Sequence, residues 1–243
     1  MTGTLATQSA SVTHPGNVRK VNEDSILSRR SNMWAVADGM GGYAAGDIAS
    51  CMVIDALSSL DVSGSIEDAS SLIEAALQRV NLKLACEMTV GIGSDMMGST
   101  IVVAATNGLQ CACLWAGDSR LYVLRQEELY QISKDHSVVQ DMIDDGILSL
   151  EQAHNHPQSH VITRAVGVRD ELVLSKVIFD LQIGDVLLLC SDGLYNEVSA
   201  ADIRNLLGDN SLDCELKAQA LLGAALNTEA KDNISICVVQ IPV

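Results

Sequence analysis

Met33-Trp34-Ala35-Val36-Ala37-Asp38-Gly39 is the stretch that decides the fold: an apolar run of strand length that stops at an Asp-Gly pair. The same arrangement recurs at Trp115-Ala116-Gly117-Asp118, Cys190-Ser191-Asp192-Gly193 and Ala230-Lys231-Asp232-Asn233. A lone Asp-Gly pair is typical of a hairpin turn, because both residues tolerate positive φ. Carboxylates at the ends of several buried strands are rigid, partly desolvated and costly to leave unpaired. If they converge, they form the hard, oxygen-only pocket that Mg²⁺ or Mn²⁺ prefers.

Composition and charge limit the classes of protein that fit. The chain has 243 residues, 48% of them hydrophobic, and no internal linker, which is typical of one large domain. Its net charge of -16 argues against nucleic acid or an anionic membrane as partner, because those surfaces are bound by a surplus of Lys and Arg. No apolar run is long enough to span a bilayer, and residues 1–10 lack the segments of a secretory signal. We therefore expect one cytoplasmic, monomeric domain over residues 1–243.

Periodicity predicts a strand-rich chain interrupted by helices. Apolar or β-branched runs predict strands at Leu5–Thr13, Met33–Ala37, Thr100–Thr106, Gln110–Ala116, Leu121–Leu124, Leu172–Phe179, Val186–Cys190 and Ile234–Gln240. Helical spacing and caps predict helices at Asp47–Leu60, Ser65–Met88, His136–Asp145, Ser199–Leu207 and Leu212–Leu226. Sequential helix pairs beside antiparallel strands favour helices layered on a sheet sandwich over a doubly wound parallel sheet. We therefore predict an α+β fold with two mainly antiparallel sheets flanked by paired helices.

Short motifs in a fixed order carry a resemblance to a known family. They are Arg-Lys-Val-Asn-Glu-Asp at 19–24, Asp-Gly-Met-Gly-Gly at 38–42, Gly-Asp-Ser-Arg at 117–120, Ser-Asp-Gly at 191–193 and Asp-Asn at 232–233. With these motifs the chain resembles the metal-dependent (type 2C, PPM) protein Ser/Thr phosphatases, from Gly16 to about Gln240. The resemblance implies a four-layer α-β-β-α sandwich. It also implies that phosphoserine and phosphothreonine monoesters are hydrolysed by direct attack of a metal-bridging water or hydroxide.

The resemblance implies a set of metal ligands. Asp38 matches the carboxylate that bridges two Mg²⁺ or Mn²⁺ ions, and the backbone carbonyl of Gly39 matches a further ligand. Asp192 and Asp232 match ligands of one of the two ions.

Weaker metal contacts are implied at three more acidic residues. Glu23 or Asp24 stands where the family places an acidic residue that acts through water or through another ligand. Asp118 matches the residue that binds a weaker third ion in bacterial members. The alternative for all these residues is that they merely cap helices or turns.

Arg19 lies four residues before Glu23, the spacing at which the family carries an arginine that binds substrate phosphate. A planar guanidinium can contact two phosphate oxygens at once, which Lys cannot. The alternative is a solvated surface charge. Lys20, Arg29, Arg30 and Lys231 flank the same motifs, and they either form a local positive patch that admits a phosphopeptide or are ordinary surface charges.

Residues 133–167 resemble the mobile flap of the bacterial family, with Asp135-His136-Ser137 at its start. Four of the five histidines of the chain lie in this segment. A histidine metal cluster is the alternative, but the helix or strand spacing that would converge the four rings is absent. His160 occupies a position where many bacterial relatives have Asn, which makes it a candidate substrate-binding residue.

Met40 departs from the eukaryotic pattern, in which a histidine after the first Asp-Gly protonates the leaving group. A thioether cannot donate a proton. The resemblance to bacterial members with the same Asp-Gly-Met-Gly-Gly motif implies another proton donor, not an inactive protein.

The implied partners are phosphoproteins and an opposing bacterial Ser/Thr kinase. Short relatives of this kind include phosphatases that oppose the kinase of type VI secretion. Two other functions stay open: a catalytically weak adaptor that binds phosphoproteins, and a phosphatase of small molecules.

Overall fold

A computed structural model describes residues 7–28, 32–41, 45–90, 97–154 and 156–242 of the chain. Arg29, Arg30, Gly42 and the first two residues of the predicted strand at 5–13 lie outside the described residues. The strands are β1 (Gln8–His14), β2 (Asp24–Ser28), β3 (Met33–Met40), β4 (Gly98–Ser99), β5 (Ile101–Asn107), β6 (Gln110–Ala116), β7 (Arg120–Arg125), β8 (Glu128–Gln131), β9 (Ser175–Asp180), β10 (Val186–Cys190) and β11 (Ile234–Gln240). The helices are α1 (Ala45–Ser58), α2 (Ile66–Val90), α3 (Val138–Asp144), α4 (Leu150–His154), α5 (Asp192–Tyr195), α6 (Ala200–Gly208) and α7 (Cys214–Leu226).

The strands form two antiparallel sheets. One has the order β1-β11-β10-β7-β8, and the other has the order β2-β3-β5-β6-β9 with β4 paired to β3. Helices α1 and α2 pack on the second sheet, while α6 and α7 pack on the first. A third apolar core between the sheets contains Trp34, Trp115 and Leu187. The predicted α+β fold and its four layers, α-β-β-α, are therefore confirmed.

Three strands were not predicted from the sequence: the two-residue β4, and β2 and β8, which lie at sheet edges. Strand β2 is rich in serine and pairs with β3, and β8 is mostly exposed and pairs with β7. Because half of each strand is polar, neither forms an apolar run.

The helix predicted at His136–Asp145 begins two residues later. The Ser137 hydroxyl caps α3 by accepting a hydrogen bond from the Gln140 N–H at 3.2 Å, so His136 lies outside the helix. Among the described residues, no helix combines the length and apolar character needed to cross a bilayer.

Candidate metal and phosphate site

Four carboxylates from four separate strand ends open onto one cavity of about 580 Å³. Asp38 lies near the end of β3, Asp118 in the turn from β6 to β7, Asp192 at the start of α5 after β10, and Asp232 just before β11. Arg19 also lines this cavity. The fold thus brings together side chains that are up to about two hundred residues apart in the sequence.

Asp38 faces a second aspartate across the sheet, because Asp24 of β2 is its direct partner in the strand register. Asp24 is buried and accepts a hydrogen bond from the Ser191 hydroxyl at 2.8 Å, but its Oδ1 has no partner among the described residues. Burial raises the pKa of Asp24 to about 6. Burial, reinforced by Asp24 and Asp192, raises the pKa of Asp38 well above its usual value. Uncompensated negative charge is therefore concentrated at this end of the sheet.

Gly39 allows three chain segments to meet beside Asp38. A Cβ at this position would lie 2.1 Å from the Gly46 carbonyl oxygen and 2.4 Å from that of Glu23. The Gly39 N–H donates a hydrogen bond to the Glu23 carbonyl at 3.2 Å. Only glycine fits, since any side chain would displace backbone atoms.

Asp192 and Asp232 are brought together by a similar close approach. A Cβ on Gly193 would lie 2.1 Å from the backbone oxygen of Asn233. The Asn196 amide donates to Asp192 Oδ2 at 3.1 Å, and Arg19 Nη2 donates to Asp232 Oδ2 at 3.0 Å. Burial, followed by the charges of Asp118 and Asp232, raises the pKa of Asp192 well above its usual value.

Asn233 joins the N-terminal loop to the site, and the sequence reading gave it no role. Its amide donates to the carbonyls of Pro15 at 3.1 Å and Val21 at 3.0 Å, and its Oδ1 accepts from the Glu23 N–H at 2.8 Å. These bonds fix the loop that carries Arg19 and Glu23. The sequence marks Asn233 through the Asp-Asn pair, but the residues that Asn233 contacts lie at the other end of the chain.

Asp118 is partly buried and lines the cavity together with Asp192. Burial, with the nearby charge of Asp135, raises the pKa of Asp118 to about 6. Arg120 forms three hydrogen bonds to Asp135, at 2.9, 3.2 and 2.7 Å, and lies 3.5 Å from the centre of the Tyr195 ring. The Tyr195 hydroxyl donates to the backbone oxygen of Asp118 at 3.0 Å. Arg120 therefore supports this turn.

Of the remaining charged residues, some line the cavity and others lie outside it. Glu23 lines the cavity, whereas Asp24 lies behind Asp38 and outside the lining. Lys231 lines the cavity but pairs with Glu229 at 2.5 Å, just as Arg19 pairs with Asp232. Both described cations of the lining are thus already paired with carboxylates, which favours ordinary charges over a positive patch.

Among the described side chains, the histidines of the flap do not converge on one point. His136 is buried at the base of the flap, while His160 lines the main cavity and an adjoining cavity of about 330 Å³ beneath α3 and α4. The Ser137–Ile162 bridge closes the flap at its base. His160 thus borders the main cavity from the flap side.

The donor set fits divalent cations. The carboxylates offer oxygen ligands, and burial and neighbouring carboxylates raise the pKa values of Asp38, Asp118 and Asp192. Among the described residues, the buried Asp24 Oδ1 has no partner. Within the described part of the chain, no three His, Cys, Asp or Glu side chains are arranged to hold an ion by themselves. An ion here would take one or two carboxylates, and the Gly39 carbonyl and water would complete its shell, as Mg²⁺ commonly allows.

Comparisons with known proteins agree with this geometry. The family model of protein phosphatase 2C matches residues 17–227. The serine/threonine protein phosphatase PstP of Mycobacterium tuberculosis is 35% identical over 238 residues, which is 98% of this chain and 46% of PstP. The chain therefore spans about half the length of this curated relative.

Solved structures give the same result. PppA, described as a key regulatory component of T6SS in Pseudomonas aeruginosa, has 40% identity and a TM-score of 0.88 over 96% of each chain. The catalytic domain of PstP in complex with two manganese ions has 34% identity and a TM-score of 0.87, covering 99% of this chain and all of that one. The chain belongs to the protein phosphatase 2C family, whose curated bacterial relatives are named serine/threonine phosphatases.

Proposed function

We propose that this protein removes phosphate from phosphoserine and phosphothreonine in proteins, as a single domain that depends on Mg²⁺ or Mn²⁺. The observation that carries the proposal is the convergence of Asp38, Asp118, Asp192 and Asp232 with Arg19 on one open cavity. An adaptor that only binds phosphoproteins has no need of so many converging, mutually repelling carboxylates, because their charge costs stability until a cation offsets it.

We assign the core metal ligands to Asp38, the Gly39 carbonyl, Asp192 and Asp232, and a weaker third ion to Asp118. When bound, these ions would activate a water for in-line attack and offset the charge that develops on the phosphate. The role of the chain is to hold the ligand oxygens at fixed positions. The close contacts of Gly39 and Gly193 and the hydrogen bond from Asn196 to Asp192 fulfil that role. Glu23, which lines the cavity, is the better candidate for contact through water, and Asp24 supports Asp38 from the neighbouring strand.

Arg19 and His160 are the proposed substrate contacts. Arg19 is half exposed at the cavity and has donors beyond the one that pairs with Asp232, so its guanidinium can bind phosphate oxygens and a ligand carboxylate together. His160 approaches from the flap side. Met40 also lines the cavity and supplies no proton to the leaving oxygen.

The opposing enzyme in this proposal is a bacterial Ser/Thr kinase, and the similarity to PppA supports one that acts in type VI secretion. The cytoplasmic location and the monomeric state remain predictions.

The test is phosphate release from phosphoserine and phosphothreonine peptides after chelation and after addition of Mn²⁺ or Mg²⁺. Small phosphorylated metabolites are assayed in parallel. Metal-dependent turnover that favours the peptides supports the proposal. Binding of phosphopeptides without turnover would favour the adaptor, and preference for metabolites would favour the small-molecule enzyme.

A further inference from the structure

His136 is a buried titratable residue that the proposed mechanism does not use. It lies at the start of the flap segment, and its ring stacks on Trp115 with centroids 5.9 Å apart and planes inclined by 11°. Nothing in this position requires a histidine for packing alone, since a neutral aromatic ring would stack as well. The role of His136 must therefore be sought in its hydrogen bonds.

Both backbone polar groups of Gly117 are bonded to His136. The Gly117 N–H donates to His136 Nδ1 at 3.2 Å, and the His136 N–H donates to the Gly117 carbonyl at 2.9 Å. Gly117 has φ +110°, which favours glycine, and a Cβ there would lie 2.6 Å from Thr100 Cβ; it precedes Asp118 directly. The histidine thus fixes the peptide that leads into the Asp118 carboxylate.

The other contacts of His136 reach the flap and the neighbouring strand. Its carbonyl accepts from the Thr163 N–H at 2.8 Å, where the chain returns from the flap. Its Nε2 lies 2.9 Å from the Ser175 hydroxyl and 3.3 Å from Arg164 Nη1. Burial, helped by the charge of Arg164, lowers the pKa of His136 to about 4. The ring is therefore neutral at neutral pH, and with Nδ1 free to accept, Nε2 carries the proton that is donated to Ser175.

We propose that His136 is a positioning residue, which holds the Gly117–Asp118 turn in register with the base of the flap and so presets Asp118 for the weakest of the divalent ions. This inference rests on the proposed function, because it assumes that Asp118 binds such an ion. A partner that orients a ligand in this way is typically worth about 10- to 100-fold in metal affinity.

Two substitutions separate the contacts of the ring. In His136→Asn the side-chain oxygen can replace Nδ1 as acceptor for Gly117, whereas in His136→Gln the longer amide can replace only Nε2. Mn²⁺ binding is measured by calorimetry, with melting curves to verify folding. His136→Gln should weaken the weakest Mn²⁺ site about 10- to 100-fold and leave the tighter sites unchanged. His136→Asn should bind close to the wild type, and so should Ser175→Ala, the matched control that removes the hydroxyl beside Nε2 and leaves Nδ1 and Gly117 unchanged.

A double-mutant cycle with Asp118→Ala adds a test that a merely structural role would not pass. If His136 acts through Asp118, His136→Gln should cause no further loss of Mn²⁺ binding in the Asp118→Ala background. Additive losses, or identical isotherms for His136→Asn and His136→Gln, would overturn the proposal. The isotherms do not depend on turnover, so a wild-type protein that binds Mn²⁺ but releases no phosphate would refute the proposed function alone.

Discussion

At the scale of single residues, Asp38 combines a pKa raised by burial with a proposed role as metal ligand. It opens onto the cavity while Asp24 faces it from the next strand. We predict that Asp38→Asn abolishes metal-dependent phosphate release, because it removes ligand charge at the centre of the site. In chelator, the same change should hold or raise the melting temperature, since it relieves carboxylate repulsion. Melting curves and peptide turnover measure the two effects, and full activity in Mn²⁺ would contradict the assignment.

The raised pKa values of the buried carboxyls decide whether stability rises or falls with pH. A carboxyl whose pKa is higher in the folded than in the unfolded protein binds more protons when folded. Its contribution to stability is complete below the unfolded pKa and is lost as pH rises through the folded one. Burial raises the pKa of both Asp24 and Asp118 to about 6. In chelator, the melting temperature of the wild type should therefore fall as the pH rises from about 4 to about 6. Asp38→Asn should make that fall smaller.

Arg19 allows a second prediction at this scale. Arg19→Ala should raise KM for a phosphopeptide by about 1.5 to 3 kcal/mol in free-energy terms, the value of a hydrogen bond to a charged group. Arg19→Lys should recover only part of this, because Lys cannot contact two oxygens in a plane. Arg19 also donates to Asp232, a proposed metal ligand. Mn²⁺ affinity is therefore measured in both variants, to separate an effect on metal binding from an effect on phosphate binding. Unchanged kinetics in both would return Arg19 to an ordinary surface charge.

Met40 carries a third prediction, which concerns the leaving group. Aryl phosphates leave as stabilised anions, whereas phosphoserine and phosphothreonine release basic alkoxides that need a proton. Met40→His should flatten the dependence of rate on leaving-group basicity without improving p-nitrophenyl phosphate, if the ring reaches the leaving oxygen. A leaving-group series on both proteins measures the slopes. Parallel slopes would show that proton donation from this position does not limit the rate.

At the scale of elements, the site depends on how closely two segments approach. Gly193→Ala would place a Cβ 2.1 Å from the Asn233 oxygen and push the start of α5 away from the Asp232 turn. We expect a loss of about 1 to 3 kcal/mol in stability, as is usual for overpacking, together with weaker Mn²⁺ binding. Gly223→Ala is the matched control: it lies in α7 with no atom within 4 Å of its Cβ, and it should gain about 0.5 to 1 kcal/mol. Denaturant unfolding and Mn²⁺ titration measure both, and wild-type Mn²⁺ affinity in Gly193→Ala would refute the spacing argument.

How much the sequence revealed also differs among elements. The inner strands and the long helices were predictable, because a run such as Val186–Cys190 is apolar throughout and helical spacing is local. Strand β2 was not, because its place is decided by the pairing of Asp24 with Asp38, which no local pattern encodes. Four site aspartates followed from their motifs. The contacts of Asn233 and the bonds from His136 to Gly117 did not, because they join segments that meet only in the folded chain.

At the scale of the whole molecule, the net charge of -16 conflicts with a phosphorylated substrate. The described cations of the cavity do not offset this charge fully, since Arg19 pairs with Asp232 and Lys231 with Glu229. Bound metal ions would attract phosphate at short range, while the rest of the surface repels acidic chains at longer range. The residues that flank the phosphorylated side chain should therefore affect the rate of encounter.

The last prediction follows from this conflict. Two phosphopeptides that share one phosphoserine but carry Lys or Glu flanks should differ at low salt, with the Lys peptide showing the higher kcat/KM. Adding salt shortens the screening length, from about 30 Å at 0.01 M to about 10 Å at 0.1 M. The value for the Lys peptide should then fall and that for the Glu peptide should rise, so that the two converge. p-Nitrophenyl phosphate serves as the control for effects of salt on the metals and on the chemical step. A preference for the Glu peptide at low salt would mean that a basic surface, and not the overall charge, governs how substrates approach the cavity.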